Sequence, residues 1–98
     1  MVAVLVLVIY DVSDNEKRNN LANYLKTKGF TRIQRSAFVG RPLPSTLLDV
    51  ERTVPRLIDQ DTDVVHIFPL PETSVQRVRV FGKPLAELAA KRSLVVIA

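Results

Sequence analysis

Residues 2–29 decide the fold, and their sequence is VAVLVLVIYDVSDNEKRNNLANYLKTKG. The first nine of them are apolar and rich in β-branched side chains, which predicts a strand. Apolar residues fall on both parities of this strand, so we expect both of its faces to be covered. Ser13 and Glu16 have the spacing of a capping box, which predicts a helix over residues 14–28 that Gly29 ends.

The rest of the chain predicts a small sheet with further helices. Residues 30–39 are predicted to be extended, and the interruption at Gln34-Arg35-Ser36 makes them one bent strand or two short ones. A helix is predicted to start at the capping pair of Thr46 and Asp49 and to be kinked or split at Pro55. Strands over 63–70 and 75–81, a short helix over 84–92 and a last apolar strand over 94–97 follow.

This order of elements indicates a fold class. Two helices on one face of a mainly antiparallel sheet form the ferredoxin-like α+β arrangement. We expect a single domain over residues 1–98. Because a small sheet has little room for the last strand, about residues 93–98, we expect that strand to join the sheet of a partner chain in a homodimer.

The composition excludes several classes of protein. Ninety-eight residues, 47% of them hydrophobic and 24% charged, suit one globular core and exclude disorder. The absence of cysteine excludes disulfides, thiolate zinc sites and thiol nucleophiles. The first apolar run is too short to span a bilayer and lacks the flanks of a signal peptide, so we expect a cytoplasmic protein with no membrane contact. A net charge of +4 favours nucleic acid as a partner.

Asp11 is the residue most suggestive of chemistry. It follows directly on the apolar strand, where a carboxylate can bind Mg²⁺ at an open edge of the core. It can equally cap the strand-to-helix turn by accepting hydrogen bonds from backbone amides. One carboxylate is too few for a metal site, so a two-fold dimer would have to bring two copies together. His66, the single histidine, stands among apolar strand residues and is expected to be structural.

Basic residues are concentrated in the first half of the chain. Between Asp14 and Arg41, seven basic residues stand against two acidic ones. They either bind phosphate groups or form a solvated face that keeps the protein soluble. Phe38 is more typical of a core residue than of a base-stacking platform. The residues expected to contact nucleic acid are Lys17, Arg18, Arg32, Arg35, Arg77 and Arg79.

Two motifs together resemble a known family. Tyr10-Asp11-Val12-Ser13-Asp14 follows an apolar strand, and residues 32–40 have the pattern Arg-x-Gln-x-Ser-x-Phe-x-Gly. With Lys17-Arg18 between them, the chain resembles the small CRISPR-associated endonuclease family, the smaller of the two proteins common to most CRISPR adaptation systems. The resemblance is dense over residues 2–40 and rests on length and element order beyond them.

The resemblance implies a fold, an activity and partners. It implies a ferredoxin-like homodimer whose terminal strands cross to the partner's sheet, and metal-dependent cleavage of RNA or of duplex DNA, with RNA expected first. It also implies a bridge between dimers of the CRISPR integrase during spacer acquisition. The catalytic or cleft positions that it implies are Tyr10, Asp11, Arg18, Arg32, Ser36 and Phe38. Asn20 departs from the family, in which many members carry a second basic residue there, and so does Pro55.

The implied chemistry suits these residues. Two Asp11 carboxylates would hold Mg²⁺ or Mn²⁺ at the dimer axis, and the metal would lower the pKa of a bound water. Arg18 and Arg32 would clamp the phosphate. Two other functions stay open: a non-catalytic dimeric scaffold that binds duplex DNA and the integrase, and a ferredoxin-like regulatory domain that binds a small molecule. Related mRNA-cleaving toxins share the fold and are not excluded.

Overall fold

Four strands and three helices make up residues 4–83, the part of the chain that this computed structural model describes. Their bounds are β1 (Leu5–Asp11), α1 (Asn15–Thr27), β2 (Thr31–Gln34), β3 (Ala37–Gly40), α2 (Pro44–Leu57), β4 (Val64–Leu70) and α3 (Glu72–Val75). The helix expected over 84–92 and the last strand, expected at about 93–98, lie outside the described residues.

The sheet has the strand order β2-β3-β1-β4, and all neighbouring strands are antiparallel. Val8 in the central strand lies opposite Phe38 on one side and Ile67 on the other. The predicted extended stretch over 30–39 is two short strands, β2 and β3, with a register shift between Arg32 and Gln34. The structure confirms the predicted α+β, ferredoxin-like arrangement.

The main core lies between the sheet and the two long helices. Alternate residues of β1 point into it, and they pack on buried side chains of α1 and α2. The buried members of this core are Val6, Val8, Tyr10, Val12, Leu21, Ala22, Leu25, Phe30, Phe38, Val50 and Val54. The helix face of β1 is therefore covered, as expected.

The opposite face of the sheet is covered at one end. There Leu5, Val39 and Val75 form a second, smaller apolar cluster. Toward the other end the face opens, and Ile9 is 41% and Phe68 43% exposed. Within the described residues, the expectation that both faces of β1 are covered is thus met on the helix face and only in part on this one.

The start of α1 differs from the predicted capping box. Asp14 is the N-cap, and its carboxylate accepts a hydrogen bond of 2.9 Å from the amide of Lys17. Ser13 lies one residue before the cap, and its amide donates elsewhere, to Asp63. Gly29 ends the helix in the left-handed region, with φ of 90°, as predicted.

The start and the course of α2 also correct two predictions. The helix begins at Pro44, because proline suits the first helical turn, and not at the pair Thr46 and Asp49. It is one element that continues through Pro55 to Leu57, so it is not split. Pro55 stands in the last turn, where only one interior hydrogen bond is lost, and the buried Val54 beside it packs on the core.

The prediction of a strand over residues 75–81 is wrong. Pro71 is the N-cap of the short helix α3, and the amides of Ser74 and Val75 donate to its carbonyl at 3.0 and 3.2 Å. Val75 turns inward onto the small apolar cluster, which burial favours over an exposed strand. Within residues 76–83, Val80 alone forms a strand-like bridge. The strand predicted over 63–70 is confirmed as β4.

Candidate functional site

A cavity of about 440 Å³ opens at the carboxyl end of β1. The end of this strand, the first two turns of α1, and β2 with its loop to β3 meet there. The residues that line it are Asp11, Val12, Arg18, Asn19, Arg32, Arg35 and Ser36. Residues that are far apart in the sequence, between 11 and 36, therefore share one surface.

Asp11 is the last residue of β1, and it lies exposed opposite Val64 of β4. Within residues 4–83 its carboxylate accepts no hydrogen bond, since the helix cap is Asp14 and the long-range contact of the turn is made by Asp63. The capping role that Asp11 could have had is thus filled by other residues. Its carboxylate is available to a ligand in the cavity.

Arg18 is fixed against the turn that follows Asp11. One guanidinium nitrogen donates to the carbonyl of Val12 at 2.9 Å, and another donates to the side chain of Asn15. Two anchors on one planar group restrict its rotamers before any ligand arrives. Arg18 therefore presents a preorganised positive charge at the cavity that Asp11 also lines.

Arg32 lies over an aromatic ring. Its Cζ atom is 5.2 Å from the centroid of the Phe38 ring, a cation–π distance. Its Nε is buried and has no hydrogen-bond partner among the described residues. Leaving such a donor unpaired costs about 1–3 kcal/mol. Arg32 thus lines the cavity with a guanidinium that the described residues leave partly unpaired.

Tyr10 and Phe38 support the cavity from inside the core. Phe38 is fully buried, and its ring stacks on that of Tyr10 with centroids 6.1 Å apart. Neither ring is exposed for base stacking, which agrees with the expectation that Phe38 is a core residue. The Tyr10 hydroxyl is buried and unpaired within the described part of the chain. Neither side chain is among those that line the cavity: Phe38 lies under Arg32, and Tyr10 directly precedes Asp11.

Ser36 and Arg35 come from the loop between β2 and β3. The amide of Tyr10 donates to the carbonyl of Ser36 at 3.0 Å, which ties this loop to β1. Ser36 is half-buried and Arg35 is exposed. With Arg18 and Arg32, the described part of the chain gives the site three guanidinium groups and one carboxylate.

Three of the basic residues expected to bind nucleic acid lie apart from the cavity. Lys17 is on the first turn of α1 but is not among the residues that line the cavity. Arg77 and Arg79 follow α3, which packs on Leu5 at the other end of β1. Leu5 and Asp11 are six positions apart on β1, a distance of about 20 Å.

Sequence reasoning missed two asparagines at this site. Asn19 lines the cavity and Asn15 holds Arg18. The two stand four residues apart on α1, and Asn15 is three residues before Arg18, so all three share one helix face. That spacing was the signal available in the sequence. Asn20, the departure from the family pattern, is exposed and does not line the cavity.

The donor set for a metal is small. Among the described residues no three His, Asp or Glu side chains cluster to hold a metal ion. His66 is exposed on the open face of the sheet and stacks on Phe68, with ring centroids 5.7 Å apart. Of residues 4–83, Asp11 alone offers a carboxylate in the cavity. One or two carboxylates with substrate phosphates are a usual ligand set for Mg²⁺, so the site fits this metal only with oxygens from outside the protomer.

The fold and the cavity define a class: a small ferredoxin-like α+β protein with a basic site around one aspartate. Within residues 4–83, no helix combines the length and the apolar character needed to cross a bilayer. The family model described as CRISPR associated protein Cas2 matches residues 4–78. The chain belongs to that family, which confirms the resemblance seen in its sequence.

Individual relatives agree with this assignment. The CRISPR-associated endoribonuclease Cas2 2 of Pyrobaculum aerophilum is 35% identical over 79 residues, 81% of this chain and 87% of the relative. A Cas1/Cas2 endonuclease fusion of Thermoproteus tenax is 31% identical over 82 residues, 83% of this chain but 31% of the fusion.

Solved structures are similar as well. A crystal structure of a hypothetical protein from Thermus thermophilus has a TM-score of 0.73 and 33% identity, covering 85% of this chain and 95% of its own. The crystal structure of Streptococcus pyogenes Cas2 at pH 6.5 has a TM-score of 0.71 and 26% identity, covering 80% of this chain and 99% of its own.

Proposed function

We propose that this chain is a metal-dependent endonuclease of CRISPR adaptation that hydrolyses phosphodiester bonds, with RNA as the first substrate and DNA as the alternative. The observation that carries the proposal is the Asp11 carboxylate, which accepts no hydrogen bond within residues 4–83 and stands in a cavity with three arginines. The name endoribonuclease given to a relative with 35% identity supports RNA. Family membership supports a cytoplasmic site of action.

The arginines bind and polarise the phosphate. Arg18 and Arg32 hold the non-bridging oxygens of the scissile phosphate, and charge-assisted hydrogen bonds of this kind are strong and directional. Arg35 adds positive charge from the loop. Because Arg18 is already anchored to Val12 and Asn15, little reorganisation is needed as negative charge builds on the phosphate.

The neighbouring side chains support this arrangement. The Phe38 ring supports the Arg32 guanidinium by a cation–π contact, and the Tyr10 ring stacks on that of Phe38. The Ser36 hydroxyl, half-buried at the cavity wall, donates a hydrogen bond to a phosphate oxygen. Tyr10 and Phe38 are therefore positioning residues, while Arg18, Arg32 and Ser36 contact the substrate.

Asp11 would hold the metal. When bound, Mg²⁺ or Mn²⁺ supplies a water of lowered pKa and neutralises charge on the phosphate. The remaining oxygens would come from the substrate and from Asp11 of a second copy. This requirement joins the proposed activity to a homodimer.

The open face of the sheet supports that homodimer. The alternation of β1 puts Asp11 on the same face as Ile9, and Val64 and Phe68 lie beside them on β4, each 43% exposed. Exposed apolar patches mark association surfaces. Two copies that pack through this face would bring both Asp11 residues to one interface.

A scaffold role is the second candidate. Arg77 and Arg79 are exposed outside the cavity, where they can contact a nucleic-acid backbone without any part in cleavage. The relative that combines Cas1 and Cas2 in one chain supports a Cas1 protein as the integrase partner. Scaffold and nuclease are compatible, since one dimer can do both.

The test is a cleavage assay with a matched control. Wild type, Asp11→Asn and Asp61→Asn are compared on labelled single-stranded RNA and duplex DNA with Mg²⁺, Mn²⁺ or EDTA, after light scattering and circular dichroism establish oligomeric state and fold. Asp61 lies outside the cavity and loses the same charge. We expect metal-dependent cleavage by wild type and Asp61→Asn, and cleavage at least about 100-fold slower in Asp11→Asn.

The other outcomes separate the candidates. Cleavage that survives Asp11→Asn or EDTA contradicts the proposal. No cleavage by any protein, with duplex DNA bound by all three, favours the scaffold. Absence of nucleic-acid binding at low salt, together with a thermal shift from a small metabolite, favours the regulatory domain.

A further inference from the structure

The turn that follows Asp11 is held by a residue from the far side of the chain. The amide of Ser13 donates a hydrogen bond of 3.1 Å to Oδ1 of Asp63, fifty residues away in sequence. Asp63 directly precedes Val64, which lies opposite Asp11 in the sheet. The contact therefore joins the two strand ends that meet at the edge of the cavity.

Both oxygens of the Asp63 carboxylate are engaged. Oδ2 accepts a hydrogen bond of 2.8 Å from the amide of Asp59, and Oδ1 also accepts one of 3.1 Å from the hydroxyl of Thr62. Two backbone donors from different segments thus converge on one side chain. This carboxylate connects the turn after β1 with the loop before β4.

The chemistry of this contact requires a carboxylate. An amide side chain has one acceptor oxygen and an N–H₂ group that cannot accept from a backbone N–H. Hydrogen bonds from Asp59 and then Ser13 lower the pKa of Asp63, with a smaller contribution from the charge of Lys17. The group therefore stays ionised at neutral pH, and its hydrogen bonds are charge-assisted.

We propose that Asp63 is a positioning residue for the nuclease site, because its carboxylate fixes the turn over residues 11–14. By fixing this turn it positions the Asp11 carboxylate and the Val12 carbonyl, and that carbonyl anchors Arg18. This inference rests on the proposed function for its catalytic consequence. Its structural part, that Asp63 orders this turn, stands without it. A displacement of about 1 Å in such a group can lower a rate about 100-fold.

The first measurement needs no substrate. Amide hydrogen exchange of Ser13 is followed by NMR in wild type, Asp63→Ala, Asp63→Asn and the matched control Asp61→Ala. Asp63→Ala removes both acceptors and should raise Ser13 exchange about tenfold or more. Asp63→Asn, which keeps one acceptor, should lie between. Asp61→Ala should match wild type, because the Asp61 carboxylate makes no hydrogen bond in the described part of the chain.

The second measurement is the kinetic split. In Asp63→Ala we expect kcat to fall at least about tenfold while KM for RNA stays within about twofold, because Arg32 and Arg35, which lie outside this turn, still bind the phosphate. Partial recovery of kcat in Asp63→Asn should parallel its Ser13 exchange. Faster Ser13 exchange with unchanged kcat overturns the positioning role, and so does unchanged Ser13 exchange in Asp63→Ala.

A variant at the donor residue, Ser13, tests the same hydrogen bond if Asp63→Ala fails to fold. Ser13→Pro removes the same hydrogen bond and leaves Asp63 intact, and Ser13→Ala, which keeps the amide, is its control. We expect Ser13→Pro to lower kcat as Asp63→Ala does and Ser13→Ala to leave it unchanged. If wild type cleaves nothing, the proposed function fails. The ordering of the turn by Asp63 is then tested by the hydrogen exchange of the Ser13 amide and by the NMR chemical shift of the Asp11 amide. If both stay as in wild type in Asp63→Ala, the inference is overturned.

Discussion

The two ends of β1 are closed by different kinds of contact. At the Leu5 end, α3 folds back and buries Val75 against Leu5 and Val39. At the Asp11 end there is an open cavity whose walls are held by hydrogen bonds to backbone groups. The difference shows where this small fold obtains stability and where it leaves polar groups available.

The largest stability effect should come from the closed end. Leu5 is 4% exposed, so Leu5→Ala removes buried apolar surface and leaves a cavity, at a cost of about 2–5 kcal/mol in the free energy of unfolding. Asp11→Asn, at the exposed end of the same strand, should change it by at most about 0.5 kcal/mol. Urea unfolding at equal protein concentration measures both. Equal losses would contradict the contrast between the ends.

The largest effect on nucleic-acid binding, by contrast, should come from the open end. Arg32→Lys keeps the positive charge but loses the planar fork that lies over Phe38. We expect RNA binding to weaken about tenfold, or about 1.4 kcal/mol. Arg56→Lys, an exposed substitution on α2, is the matched control and should bind RNA as wild type does. Fluorescence anisotropy at fixed salt measures it, and equal binding by both variants would exclude a specific role for the Arg32 guanidinium.

Acid should weaken the open end through Asp63. Its pKa is lowered from the ordinary 3.8, mainly by the hydrogen bond from Asp59 and then by that from Ser13. A carboxyl with a lowered pKa in the folded state stabilises the protein above its unfolded pKa, and this contribution is lost as the pH falls through the folded value. Thermal unfolding between about pH 5 and pH 3 should therefore show a steeper loss for wild type than for Asp63→Asn. Asp61→Asn should keep the wild-type slope, and equal slopes in all three would disprove the linkage.

Local sequence patterns predicted the first half of the molecule well. The apolar run and the stop at Gly29 indicated β1 and α1, and residues 30–39 indicated extended structure, as one bent strand or two short ones. These segments hold most residues of the cavity. These signals are local because each depends on neighbours within about four residues. The Arg-x-Gln-x-Ser-x-Phe-x-Gly motif did not show that Phe38 is buried beneath Arg32, which depends on the packing of α1 and α2 over the sheet.

The errors fall where long-range contacts decide. Residues 75–81 alternate like a strand, yet Val75 is drawn into the small apolar cluster by Leu5, seventy positions earlier. Ser13 has the spacing of a capping box, yet its amide binds Asp63 while Asp14 caps the helix. In both cases the tertiary contact replaced the local one, and no periodicity in the sequence signals such a partner.

The smallest effect should come from the ion pair at the closed end. Arg41 Nη1 lies 2.9 Å from Oε2 of Glu72 and joins the end of β3 to α3, but both side chains are substantially exposed. An exposed pair contributes about 0–1 kcal/mol, so Glu72→Gln should lower the free energy of unfolding by less than about 1 kcal/mol. Glu51→Gln on α2, which has no ion pair in the described part of the chain, is the control. If Glu72→Gln instead destabilised as much as Leu5→Ala, the closed end would depend on its ion pair as much as on apolar burial. The contrast between the two ends would then lose its physical basis.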